Sequence, residues 1–304
     1  MNKVKLNSVS ISGQESGPHL LVTGGVHGDE FEPMAAIRRL ISMFKGSQAT
    51  PMLQRGQLTL VPIVNEPAFE RGHRTAEDGK DLARTCPGNV DGSVTERIAH
   101  ALSELIQTAD YYIDLHTGGT ELSVFPLAGY VLHKDESTLK TQRQMARAFN
   151  LPLVWGTSAN LPGRSLSVAR DANIPAIYAE YLGAATCVPH GVTAFVDGCL
   201  NVMSTLNMIS RPQPPTQVKH VIEDRRPGSG HMQVCHPAPI TGYFEPTVEL
   251  GQSVEKGADI GLVCDTLESE RHLIRSEEAG MVIVLRTFPR VMKGNSVAVV
   301  APLR

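Results

Sequence analysis

Short β-branched apolar runs alternate with amphipathic stretches through the first two thirds of the chain, and few folds accept that pattern. His19–Val26 is a short apolar run of strand type. Phe31–Phe44 repeats apolar residues at helical spacing, with Arg38 and Arg39 on the opposite face. Gln57–Val64 predicts a second strand. Val94–Ala109 predicts an amphipathic helix with Ile98, Leu102, Leu105 and Ile106 along one stripe, and Tyr111–Leu115 a third strand. Further on, Ser137–Phe149, Ser165–Ala172 and His190–Met208 predict helices, separated by strands at Leu151–Trp155 and Ile174–Tyr181. Such alternation needs crossover connections. The expected architecture is therefore α/β, a mixed, mostly parallel sheet with helices on both faces.

The pattern changes at Arg211–Gln217, where three prolines interrupt any apolar periodicity and a linker is expected. Beyond it lie short β-rich stretches with regular glycines, so the expected division is residues 1–214 and a β-rich unit of residues 215–304. The tail holds two copies of V-x-K-G followed by a β run, at Val254–Gly257 and Val291–Gly294. Two strand–turn–strand units of that kind could pack as two small facing sheets, which resembles the barrel-sandwich of biotinyl and lipoyl carrier domains. Met292-Lys293 is similar to a biotinylated Met-Lys pair, but it lies inside the turn and not at the hairpin tip midway between the copies. A turn lysine is the reading adopted.

Composition narrows the function classes. A net charge of −3 over 304 residues excludes a broad basic surface, so no nucleic-acid partner is expected. No apolar run approaches the ~20 residues of a membrane span. Met1–Asn7 has neither the apolar core nor the cleavage site of a secretory signal. The five cysteines are scattered without C-x-x-C spacing, which disfavours a disulfide framework and a cysteine metal site. A cytoplasmic location is expected; the sequence leaves homo-oligomerisation open.

The segment Gly24-Gly25-Val26-His27-Gly28-Asp29-Glu30 follows a strand directly and opens a helix. In open α/β sheets, ligands bind beyond the carboxyl ends of strands. His27 and Glu30, three residues apart, face one side of such a turn. Tyr111–Leu115 runs into His116 and then Gly118-Gly119, which delivers a second imidazole to the same edge. Two His and one Glu with an open fourth position is the donor set of catalytic zinc. The long polar loop of residues 65–84 follows another strand to this edge, and its Arg74 and Arg84 could clamp a carboxylate or an oxyanion. Asp81 could accept the free N–H of a ligand histidine. Glu180 ends the apolar run Ile174–Tyr181, an uncomfortable place for a carboxylate unless it is used. Near zinc it could take a proton from water and pass it to a leaving amine.

Together, His27-Gly28-Asp29-Glu30 after two glycines, Asn65-x-Pro67-x-Phe69, Asp81-Leu82-x-Arg84, Asp114-Leu115-His116-Thr117-Gly118 and Glu180-x-x-Gly183 resemble the succinylglutamate desuccinylase/aspartoacylase family, relatives of the zinc carboxypeptidases. The resemblance spans roughly residues 19–210, and the glycine-punctuated tail is similar to that family's C-terminal domain. It implies one Zn²⁺ per chain held by His27, Glu30 and His116, with Glu180 as general base and acid. It further implies that Arg74 polarises the scissile carbonyl, Arg84 contacts a substrate carboxylate and Asp81 stands behind His27. Arg164, before Ser165-Leu166, is a candidate further substrate contact. The implied activity is zinc-dependent hydrolysis of the amide in an N-acyl amino acid or similar small amide. Where the family often has Asn, this chain has Ala83, whose methyl group cannot donate amide hydrogen bonds to a substrate carboxylate. That departure points away from acylaspartate or succinylglutamate and toward a divergent member, similar to deacetylases of acetylated diaminobutyrate in ectoine breakdown. The alternatives are a metallocarboxypeptidase acting on peptides, and a binding or carrier module with a vestigial metal site.

Overall fold

Turn chemistry decides where the first strand ends. The computed structural model describes residues 4–46, 52–233 and 235–303. In it β1 (Val9–Ser12) and β2 (Glu15–Thr23) open the chain, followed by α1 (Phe31–Lys45), β3 (Arg55–Val61), α2 (Glu66–Arg71) and α3 (Val94–Ile106). The strand expected to reach Val26 stops at Thr23, because Gly25 takes φ +63° and turns the chain. Next come β4 (Tyr111–His116), β5 (Leu122–Val131), α4 (Glu136–Phe149), β6 (Leu153–Thr157), α5 (Ser165–Asp171), β7 (Ala176–Gly183) and α6 (Pro189–Thr205). The rest is β: β8 (His220–Glu223), β9 (Gly242–Pro246), β10 (Ser253–Val254), β11 (Asp259–Cys264), β12 (Arg271–Arg275), β13 (Gly280–Arg286), β14 (Arg290–Val291) and β15 (Ala298–Ala301). The chain pattern did not predict β5. It carries Pro126 at an irregularity between Val124 and Leu127, where the pairing with β7 shifts.

The central sheet runs β1-β3-β2-β4-β7-β5-β13-β10, with β6 and β8 branching from β5 and β15 from β13. Its central part, β3-β2-β4-β7, is parallel. The fold is thus a mixed α/β sheet, mostly parallel at its centre and covered on both faces. Alternate residues of one strand go to opposite cores: Leu20 and Val22 join α1, α4 and α6, whereas Leu21 joins α3 and α5. From β2 the chain steps to β3 on one side and then to β4 on the other. That reversal opens a crevice beyond the carboxyl ends of β2 and β4, the position where doubly wound sheets bind ligands.

The tail does not stand apart from this sheet. β8 adds to β6 in parallel, and β13 pairs antiparallel with β5. A separate four-stranded antiparallel sheet, β12-β11-β9-β14, faces the β10-β13-β15 limb across a shared core of Phe244, Val263, Val282, Val291 and Val300. Each V-x-K-G copy crosses between the two layers: β10 to β11 in the first, β14 to β15 in the second. One of the two expected small sheets is therefore a limb of the central sheet. The reason is β13, whose seven residues are all buried and need cover on both faces. Among the described residues, no helix is long and apolar enough to cross a membrane.

Candidate active site

The turn after β2 is built to carry side chains over the crevice. Gly28 packs so tightly on α2 that a Cβ there would lie 2.0 Å from the Ala68 carbonyl carbon. Its N–H donates to the His73 carbonyl at 3.1 Å, which docks the arginine-bearing loop against the turn. His27 and Glu30 flank Gly28 and are 3 % and 1 % exposed. Glu30 Oε1 lies 2.6 Å from His27 Nδ1, and Glu30 Oε2 lies 3.1 Å from His116 Nδ1, at the end of β4. The Thr117 backbone N–H also donates to Glu30 Oε2, at 3.2 Å. One ligand atom from each of His27, Glu30 and His116 falls within 4.8 Å of the others, so the three form a group that could hold a metal ion.

The outer nitrogen of each imidazole meets a carboxylate. His27 Nε2 is 3.2 Å from Asp81 Oδ1, and His116 Nε2 is 3.1 Å from Asp114 Oδ2. This leaves both Nδ1 atoms facing inward, the arrangement that fixes ring orientation in histidine metal sites. Asp114 is fully buried and also accepts from Thr23 Oγ1 at 2.7 Å and from Ser165 Oγ. Against the penalty of burial, the charges of His27 and His116 hold the Glu30 carboxyl well below the usual range. Likewise, against burial, the hydrogen bond from His27 and the Arg74 charge hold Asp81 down. A tightly held anion between two imidazoles, each backed by a carboxylate, suits a divalent cation with nitrogen and oxygen preference.

Sheet register places Glu180 there. β4 and β7 pair in parallel with His116 opposite Glu180. Glu180 is 6 % exposed, and its Oε2 is buried without a hydrogen-bond partner among the described residues. Burial pushes its carboxyl up; His116 and Arg74 oppose the shift, and Glu30 and Asp114 add to it. Arg74 donates to Asp81 Oδ2 from Nη2 at 3.0 Å and comes to 4.0 Å from Glu30 Oε1.

One cavity gathers His27, Glu30, Arg74, Arg84, His116, Arg164 and Glu180, with Ala83 in its wall. Asp81 lies behind it, on His27 and Arg74. Arg84 and Arg164 are close enough to repel; burial, with Arg164 beside it, brings Arg84 down to about 10. The sequence reading missed three kinds of contributor. Asp114 stands in the Asp114-Leu115-His116-Thr117-Gly118 motif with nothing local to mark its role. Thr23 and Ser165, which hold it, carry no local signal. Gly230, Met232 and Gln233 enter the cavity from the tail, and the only hint was the glycine pair at Gly228 and Gly230.

The chain is similar to known proteins over most of its length. A family model described as the succinylglutamate desuccinylase/aspartoacylase catalytic domain matches residues 16–206. A protein of Halomonas elongata, named N-alpha-acetyl-L-2,4-diaminobutyric acid deacetylase, is 31% identical, with 96% of this chain and 84% of the relative aligned. The product-bound structure of the ectoine utilization protein EutE (DoeB) of Ruegeria pomeroyi superposes with a TM-score of 0.84 at 27% identity, covering 97% of this chain and 88% of that one. A succinylglutamate desuccinylase/aspartoacylase structure from Rhodobacter sphaeroides gives 0.84 at 26% identity, covering 99% and 90%.

Proposed function

The chain belongs to the succinylglutamate desuccinylase/aspartoacylase family, and from that premise we propose that it hydrolyses the linear amide bond of an N-acyl amino acid or a similar small amide. The observation that carries the reading is Glu180: a buried carboxylate with a free oxygen, set by strand register beside a two-imidazole, one-carboxylate group in one cavity. The deacetylase name of the Halomonas relative supports the same bond type.

His27, Glu30 and His116 would hold one zinc ion, through both Nδ1 atoms and the Glu30 carboxylate. When bound, zinc lowers the pKa of water and polarises a carbonyl. Glu180 takes the proton of the attacking water and delivers it to the leaving amine nitrogen. Arg74, braced by Asp81, turns its N–H groups to the oxyanion that develops on the scissile carbonyl. Arg84 and Arg164 bind the substrate carboxylate. Asp81 and Asp114 hold the two imidazoles in one tautomer and orientation.

In this reading residues 1–214 form the catalytic unit, and residues 215–304 form a β-rich unit of barrel-sandwich type that walls the cavity. The five cysteines form no disulfide, which suits a reducing, cytoplasmic setting. The test is a panel of acetyl-, succinyl- and formyl-amino acids against dipeptides, with metal measured on the same batch. Turnover of acyl amino acids with about one metal per chain is the expected result. Turnover of dipeptides alone would make the chain a carboxypeptidase. No turnover, with less than about half an equivalent of metal after zinc is supplied, would make it a binding module.

A further inference from the structure

Two arginines of the cavity are hydrogen-bonded to a single loop of the tail, outside the residues matched by the catalytic-domain model. Arg84 Nη2 donates to Gln233 Oε1 at 3.3 Å, and Arg164 Nη2 donates to the Gly230 carbonyl at 3.1 Å. The loop is firmly seated. The Ser158 N–H donates to Ser229 Oγ at 2.7 Å, and Ser229 Oγ donates to the Asp224 carbonyl at 2.7 Å. Gly230 has φ +87°, and a Cβ there would meet Thr157 at 2.9 Å. Among the described residues, Arg84 makes one more bond, from Nη1 to the Ala83 carbonyl at 2.8 Å, and Arg164 Nε is buried without a partner. Among the described residues, neither guanidinium has a carboxylate within 4.0 Å.

The rest of the lining is unlike this polar end. Leu122, Val124, Val131, Leu166, Met232 and Val284 form an apolar wall. Among the described residues, the carboxylates of the lining are Glu30 and Glu180. Glu30 is taken up by two imidazoles and a backbone N–H, and Glu180 stands beside His116. The cavity therefore has two guanidiniums without a directly bonded carboxylate at one end, while its two carboxylates lie at the His27–His116 end.

Resting on the deacylase reading, we propose that the loop of residues 228–233 sets the substrate class. Arg84 and Arg164, aimed by Gln233 and Gly230, grip one carboxylate of the amine half, whose side chain is uncharged and lies on the apolar wall. An ammonium side chain on the apolar wall would be desolvated beside two guanidiniums, with no carboxylate among the wall residues to pair with it. A second carboxylate lying on the aliphatic wall of Leu122, Val124, Val131, Leu166 and Val284 would be buried against groups that donate no hydrogen bond. Gln233 is a specificity-determining residue, since its neutral oxygen orients Arg84 without cancelling its charge.

The test compares zinc-loaded full-length chain on N-acetyl-2-aminobutyrate, N-acetylaspartate and Nα-acetyl-2,4-diaminobutyrate. The neutral substrate is expected to have a kcat/KM at least about tenfold above each of the others, the difference lying in KM. Gln233→Glu sets a carboxylate beside Arg84. It is expected to narrow the neutral-to-cationic ratio by about tenfold, again through KM. Calorimetric binding of the products 2-aminobutyrate and 2,4-diaminobutyrate is expected to follow the same order without turnover. Equal or better use of the cationic substrate overturns the inference while leaving the deacylase reading intact. A Gln233→Glu chain that loses kcat on all substrates, with the ratio unchanged, reduces Gln233 to a structural part and overturns its assigned role. If no acyl amino acid is hydrolysed, the deacylase reading falls, and the product-binding order alone decides this inference.

Discussion

Replacing Asp114 by Asn tests whether the group behind His116 matters as its position requires. The change keeps shape and volume in a fully buried site. Three groups donate to the carboxylate: Thr23 Oγ1 at 2.7 Å, Ser165 Oγ, and His116 Nε2 at 3.1 Å when that nitrogen carries its proton. The two hydroxyls can rotate and accept from an amide instead. Either orientation of the amide weakens the support of His116: an N–H facing Nε2 forces the proton onto Nδ1, and an oxygen facing it accepts without the negative charge. The loss is thus concentrated in one hydrogen bond to a charged group, worth about 1.5–3 kcal/mol. At ~1.4 kcal/mol per tenfold, that is roughly 10- to 150-fold in zinc affinity, in line with the ~10–100-fold typical of partners behind metal ligands. The assay is a zinc titration of the metal-free chain in competition with a chromophoric chelator. An affinity within about twofold of wild type would refute the reasoning and leave Asp114 as a packing residue.

Further outcomes follow from other groups. Glu180→Gln is expected to retain its metal and lose about 10²–10⁴ in kcat; near-normal rates in metal-loaded protein would remove Glu180 from the proton transfers. Asp78 accepts from the Thr95 N–H at 3.0 Å and from Thr95 Oγ1 at 2.7 Å, tying the arginine loop to the start of α3. Despite a burial penalty, hydrogen bonds from the start of α3 lower its pKa from 3.8 to about 2. A depressed carboxylate stabilises the fold above its unfolded pKa, and that contribution is lost as pH falls through the folded value. The urea-unfolding difference between wild type and Asp78→Asn, a few tenths to about 1 kcal/mol, is therefore expected at pH 6. It should shrink below pH 4 and be lost below pH 2; a difference independent of pH contradicts the assignment.

Local chemistry made much of the site legible before any coordinates. His27 and Glu30 are three residues apart in a glycine-rich turn, so only short-range geometry was needed to bring them together. His116 and Glu180 each end an apolar strand, and the ends of parallel strands share one edge. Their direct opposition, however, depends on β4 and β7 being neighbours, which the order of elements along the chain does not state. Asp114 was passed over because β4 is buried on both faces, which removes the in–out alternation that would mark one side chain as special. β5 was missed because Pro126 breaks the pattern of a strand that nonetheless lies between β7 and β13. Gly230 and Gln233 reach the cavity from a loop following the prolines, through contacts such as Gln233 with Arg84 that no local signal encodes. The same long-range pairing, β13 with β5, made one layer of the tail part of the central sheet.

The proposed chemistry depends on two imidazoles and one carboxylate binding a single ion. The most direct measurement is metal content per chain, with activity on one acyl amino acid, before and after chelation and zinc return. About one zinc is expected per wild-type chain, with activity lost and regained with the metal, and no stoichiometric zinc in a His27→Ala/His116→Ala chain that remains folded. Full zinc retention by that double variant, or undiminished activity in metal-free wild type, would contradict it.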